Sequence, residues 1–128
     1  MKNLLVLFLL LVVSVSANTN NKETKTVNTD LVIENLLQGT ESENLGLKTS
    51  ATIQLGNYDS DKSVIPLLKA LKDDNNESVR ISAAISLYKL GNPRGIFAVK
   101  RAAKFDESER VRKICAKLYN QYQLDQNS

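Results

Sequence analysis

An internal repeat of 32 residues, free of gaps, constrains this chain more than any other feature. Val64 meets Ile96, Leu67 meets Val99, Leu71 meets Ala103 and Asp74 meets Asp106. Glu77 then meets Glu109, Val79 meets Val111, Arg80 meets Arg112, Ala83 meets Cys115 and Leu87 meets Tyr119. Self-similarity at such a period marks an array of supersecondary units, each of which buries its apolar face only against its neighbours. An earlier unit matches less closely. A shift of 34 places Ile33, Leu37, Glu43 and Leu45 on Leu67, Leu71, Glu77 and Val79, with an adjustment near Gln54 to bring Leu55–Gly56 onto Leu90–Gly91.

The stretch ESVRISAAISLYKLGN, Glu77 to Asn92, carries the centre of the array. At about 100° per residue, Val79, Ala83, Ala84, Leu87 and Leu90 form one apolar stripe, and Ile81, Ile85 and Tyr88 form a second. Two stripes require neighbours on two sides. The only polar strip left is Ser78, Ser82, Ser86 and Lys89. One period later Ile81, Ile85 and Tyr88 become Lys113, Lys117 and Asn120. The outer face of the last unit is therefore polar, as the end of a stack requires. The expectation is three helix pairs, with the last as a cap, in which Ile85→Lys unfolds the protein and Lys117→Ala does not.

Local signals place six helices. Thr29 or Asp30 caps the first, LVIENLLQ. The second runs from about Glu43 to Leu55, where Gly56 stops it. Asp61 caps the third, KSVIPLLKALK, with Pro66 in its first turn. The central helix ends at Gly91. Pro93 opens the fifth, PRGIFAVKRAAK, and the sixth runs from Glu109 to about Tyr122, leaving residues 124–128 as a frayed tail.

An apolar helix followed by D-x-x-x-x-VR-x-x-A and LG-N-P resembles HEAT repeats, and is most similar to the short bacterial type first associated with bilin lyases. The resemblance covers residues 30–123. It implies an all-α solenoid of antiparallel pairs, with first helices on the convex side and second helices on the concave side. It further implies that Arg80 and Arg112 pair with Asp74 and Asp106 in a structural ladder across the turns, rather than binding anions.

The segment before this domain has a different character. MKNLLVLFLLLVVSVSA has a positive start, ten unbroken apolar residues from Leu4 to Val13, and small residues at Val15 and Ala17. That is the layout of a secretory signal peptide cleaved after Ala17, with an apolar run too short for a transmembrane helix; the remaining alternative is an uncleaved anchor. Residues 18–29 form a polar spacer with one apolar residue, Val27. The expected destination is export, with the bacterial periplasm favoured over secretion.

Composition removes several chemistries. The chain has no His and a single Cys, so His-based catalysis, His metal sites and an internal disulfide are excluded. Cys115 aligns with Ala83 of the core stripe and so reads as a small buried apolar residue; the alternative is a thiol that pairs between chains. The carboxylate clusters Asp59/Asp61, Asp73/Asp74 and Asp106/Glu107/Glu109 sit before helices, where caps and the helix dipole favour them. They lack the Gly and Glu of a calcium loop. Asn76-Glu77-Ser78 matches a glycosylation sequon. Charge is uneven: residues 93–128 hold 8 basic and 4 acidic side chains, residues 18–92 hold 8 and 10. Arg94, Lys100, Arg101 and Lys104 make the fifth helix basic, either a solvated face or a contact for acidic surfaces such as lipid head groups.

The expectation is therefore an exported, non-enzymatic protein-interaction module without a cofactor, metal or nucleic-acid partner. Its expected binding face is Ser82, Ser86 and Lys89, extended by Ile114 and Leu118, which are either covered by Leu124 or left as an apolar spot. The alternatives are membrane-surface association through the fifth helix and a lyase-like, chromophore-handling activity.

Overall fold

The computed structural model describes residues 28–128; the proposed leader and most of the spacer lie outside them. Six helices follow one another: α1 Thr29–Thr40, α2 Leu45–Leu55, α3 Asp61–Asp73, α4 Glu77–Leu90, α5 Pro93–Phe105 and α6 Glu109–Gln126. No strand occurs among the described residues, and none of these helices is long and apolar enough to cross a membrane.

The repeat is written most strictly in the caps. The N-cap residues are Asn28, Asn44, Ser60, Asn76, Asn92 and Ser108, one every 16 residues, and each side chain accepts a backbone N–H of its helix's first turn. These caps move three expected boundaries. Asn28, not Thr29 or Asp30, caps α1. Asn44 starts α2 after Glu43. Ser60 caps α3, so Asp61 enters the first turn, where its charge suits the dipole. Pro66 consequently falls at the sixth residue of α3, inside the helix, and the Lys62 carbonyl has no N–H to receive there. At the other end of the domain α6 runs on to Gln126, past the expected stop at Tyr122 and through most of the expected frayed tail.

Adjacent helices pair as α1–α2, α3–α4 and α5–α6. Second helices then pack side by side, α2 on α4 and α4 on α6, while α3 meets α5. So α4 touches α2, α3, α5 and α6, and Val79 through Ala84, Ser86 and Leu87 are all buried. Gly91 ends it in the left-handed conformation (φ 62), which costs glycine nothing. One core runs through the array: Leu55, Leu67, Leu87, Ala83, Val111 and Cys115 are fully enclosed. Each such leucine contributes about 1.5–3 kcal/mol of burial.

The first pair keeps the 32-residue frame where a shift of 34 was expected. Within α2, Lys48, Ala51 and Leu55 stand at the positions of Arg80, Ala83 and Leu87 with no gap. Leu55–Gly56 does not correspond to Leu90–Gly91, because α2 has 11 residues and α4 has 14. The expected shift survives only in what α1 buries. Ile33 is enclosed, although its counterparts one and two periods on, Ile65 and Phe97, are exposed. Relative to its caps, α1 is rolled by two residues, roughly 200°.

Candidate functional site

A charged ladder crosses the joints between units. Lys48 Nζ on α2 meets Asp74 Oδ2 at 3.2 Å. Arg80 on α4 grips Asp106 with two parallel bonds, Nε to Oδ2 and Nη2 to Oδ1, both 3.0 Å. Each link spans 26 residues. Arg80 Nη1 also donates to the carbonyls of Asp74 and Asn75, at 2.9 and 3.2 Å, so one buried guanidinium holds the turns of two units. The Asp106 carboxylate raises the Arg80 pKa above its ordinary value, against the effect of burial. Asp74 and Asp106 each accept a further backbone N–H, from Asn76 and Ser108.

This pairing differs from the one the family resemblance implied. The carboxylates that Arg80 meets belong to the next unit, Asp106 and, at 3.4 Å, the exposed Glu107, and Asp74 gives it only a carbonyl. Arg112 repeats the carbonyl half of the pattern, donating to Asp106 and Glu107 at 2.6 and 3.1 Å, but has no carboxylate partner among the described residues. Around the same joint Glu77 accepts from Ser108 Oγ at 2.7 Å and from Arg110 Nη1 at 3.1 Å. The Ser108 bond, with Arg110 beside it, holds the Glu77 carboxyl below its ordinary range.

The expected binding face is largely internal. Ser86 is fully enclosed where α4 crosses α2, and its hydroxyl donates to the carbonyls of Thr52 at 2.8 Å and Ile53 at 3.2 Å. Gly56 makes that crossing close: a Cβ there would stand 2.7 Å from Ser86 Cα. Ser82 is buried too and bonds back to the Ser78 carbonyl at 2.8 Å. Only Lys89 of the expected strip is exposed, with its Nζ 3.3 Å from Asn57 Oδ1. Ile114 and Leu118 are half-buried against the core, and Leu124 stays exposed instead of folding over them. Of the second apolar band, Tyr88 reaches α6, where its hydroxyl donates to Asp125 at 3.0 Å.

Other candidates resolve as supports. Cys115 is enclosed, and burial pushes its thiol up to about 12, leaving it protonated. Asn76 of the sequon is the α4 cap. Glu109 pairs with Lys113 at 2.7 Å within α6. Among the described residues no three His, Cys, Asp or Glu side chains come together as metal ligands.

The open feature lies on the first helices. Between α3 and α5 runs a groove of about 570 Å³, floored by Leu68, Leu71, Ala98 and Ala102. Phe97 and Phe105 line it and remain 66% and 76% exposed. Lys72 stands on the α3 side and Arg94 and Arg101 on the α5 side. The sequence announced the cations but not the groove, because alanines and leucines at helical spacing read as core.

Comparison with curated proteins finds no match. The profile for HEAT repeats matches residues 33–119, more than half of the sequence. With six helices among the described residues, side-by-side second helices and a period of 32, the chain belongs to the HEAT repeat family.

Proposed function

We propose that this HEAT-repeat chain is an exported, non-enzymatic scaffold that binds another protein in the cell envelope. The observation carrying this reading is the division of labour among its charges. Lys48, Asp74, Arg80 and Asp106 are spent on holding units together, whereas Arg94 and Arg101 flank an open apolar groove without an ion-pair partner among the described residues. A rigid array with a vacant apolar and cationic face is suited to docking. Export rests on the apolar leader and the small residues before Asn18. A non-enzymatic role rests on the absence of His from the sequence and on a single, enclosed, protonated thiol.

Two measurements test the reading. N-terminal sequencing of the protein from fractionated cells should give Asn18 in the envelope fraction; intact Met1 in the cytosol would contradict export. Purification of the native protein should bring a stoichiometric partner whose complex re-forms from the separated components. Substrate turnover with no such partner would replace the scaffold with an enzyme. A second reading, association with an anionic membrane surface, is favoured by the exposure of Phe97 and Phe105 among Arg94, Lys100, Arg101 and Lys104.

A further inference from the structure

We infer that the α3–α5 groove receives an acidic amphipathic helix of the partner, which names the docking surface and its chemistry and rests on the scaffold reading above. Three observations converge. The first is shape. Arg94 to Phe105 covers eleven residue steps of α5, about 17 Å, the length of three helical turns. Ala98 and Ala102 on the floor allow another backbone to come close, and Leu68 and Leu71 supply apolar contact. A ridge of side chains fills such a trough; a bilayer presents no ridge.

The second is the placement of charge. Cations stand on both sides, Lys72 on α3 and Arg94 and Arg101 on α5. An occupant with one apolar stripe flanked on both edges by Glu or Asp meets both, in the helix-in-groove mode of recognition. The sequence of α5, PRGIFAVKRAAKF, contains four cations and no acid, so nothing on this helix competes for them. The one carboxylate at the groove, Asp106, is held by Arg80.

The third is the exposure of large aromatic rings. Phe97 and Phe105 lie eight residues apart on the same face of α5, and each keeps well over half of its surface in water. Such rings act as anchors once covered, because they bury large areas at little entropic cost.

The test uses the mature chain and a designed, fluorescently labelled helical peptide with Leu at i, i+3, i+4 and i+7 and Glu on either side of that stripe. Anisotropy should show saturable binding that weakens with added salt. Arg94→Glu with Arg101→Glu, and separately Phe97→Ser with Phe105→Ser, should each weaken it by about tenfold or more. Lys117→Glu, on α6 away from the groove, should leave it unchanged. All five positions are exposed, so the variants should keep the parent melting curve. Equal binding of the same peptide with Lys in place of Glu would overturn the inference. So would phosphatidylglycerol vesicles that sediment the protein without competition from the acidic peptide, which would assign the face to a membrane. Self-association abolished by the Phe variants would assign it to a second copy. A native partner captured equally by all variants would leave the scaffold reading standing and remove the groove from it.

Discussion

Helices α4 and α6 occupy the same place in successive units, yet they live in different surroundings. Both begin with a cap, a glutamate and a Val-Arg pair, and both arginines take the carbonyls of their own preceding turn. From there they part. Arg80 is enclosed and grips a carboxylate of the next unit, while Arg112 takes carbonyls alone. Tyr88 bonds to Asp125 of α6, and the counterparts of Ile81, Ile85 and Tyr88 on α6 are Lys113, Lys117 and Asn120. The repeat thus sets the backbone frame, and each helix's neighbours decide what a given position does.

The arginine pair should show the largest difference. Arg80→Ala leaves Asp106 buried and unpaired and should cost about 3–5 kcal/mol in urea unfolding. Arg112→Ala, with no carboxylate to abandon, should cost about 1 kcal/mol. Equal losses would mean that the links between units do not carry the stability of the array.

The second test concerns the two joints of α4. Gly56→Ala would push a methyl group against the Ser86 backbone, and should cost about 1–3 kcal/mol as α2 and α4 are forced apart. Gly46→Ala, where the nearest atom is 3.4 Å away, should be neutral or slightly stabilising because alanine favours helix. Ile85→Lys follows. Ile85 is half-buried, not enclosed, so this change should destabilise by about 1–2 kcal/mol rather than unfold the chain outright, since lysine can lead its charge out to water. Lys117→Ala should have no measurable effect. A reversed order would mean that the apolar band of α4 is not what seats α6.

The smallest effect should be the pH dependence from Glu77. Its carboxyl titrates below the ordinary range in the folded protein, so its contribution is complete above the unfolded-state value and is lost as pH falls through the folded one. Glu77→Gln should flatten the acid side of the stability profile slightly. A steeper acid side in the variant would contradict the Ser108 and Arg110 contacts.

The order of helices, the period and the two-sided burial of α4 were all legible in the sequence, because apolar spacing and glycine stops report them directly. The serine strip was not. Polarity counts Ser82 and Ser86 as surface, but a hydroxyl that returns its hydrogen bond to a nearby carbonyl enters a helix contact readily, and its small size lets α2 approach. The exchange of partners in the ladder was hidden for a related reason. Spacing shows that an arginine and an aspartate recur, not whether the arginine reaches within its own unit or into the next. The groove was invisible because its floor is made of residues that elsewhere fill the core.

The charged link has a consequence for how such a chain can grow. Its donor and acceptor are 26 residues apart in a unit of 32, so every link crosses one joint. Suppose the segment from Ser60 to Gly91 were duplicated in tandem. The original Arg80 would find the copied Asp74, and the copied Arg80 would find Asp106. Neither new junction would hold a mismatched charge, and the caps would fall into step at both. Lengthening by whole-unit duplication is therefore compatible with the electrostatics at every joint, whereas an insertion between Arg80 and Asp106 that is not a whole number of units would leave a buried arginine facing the wrong residue.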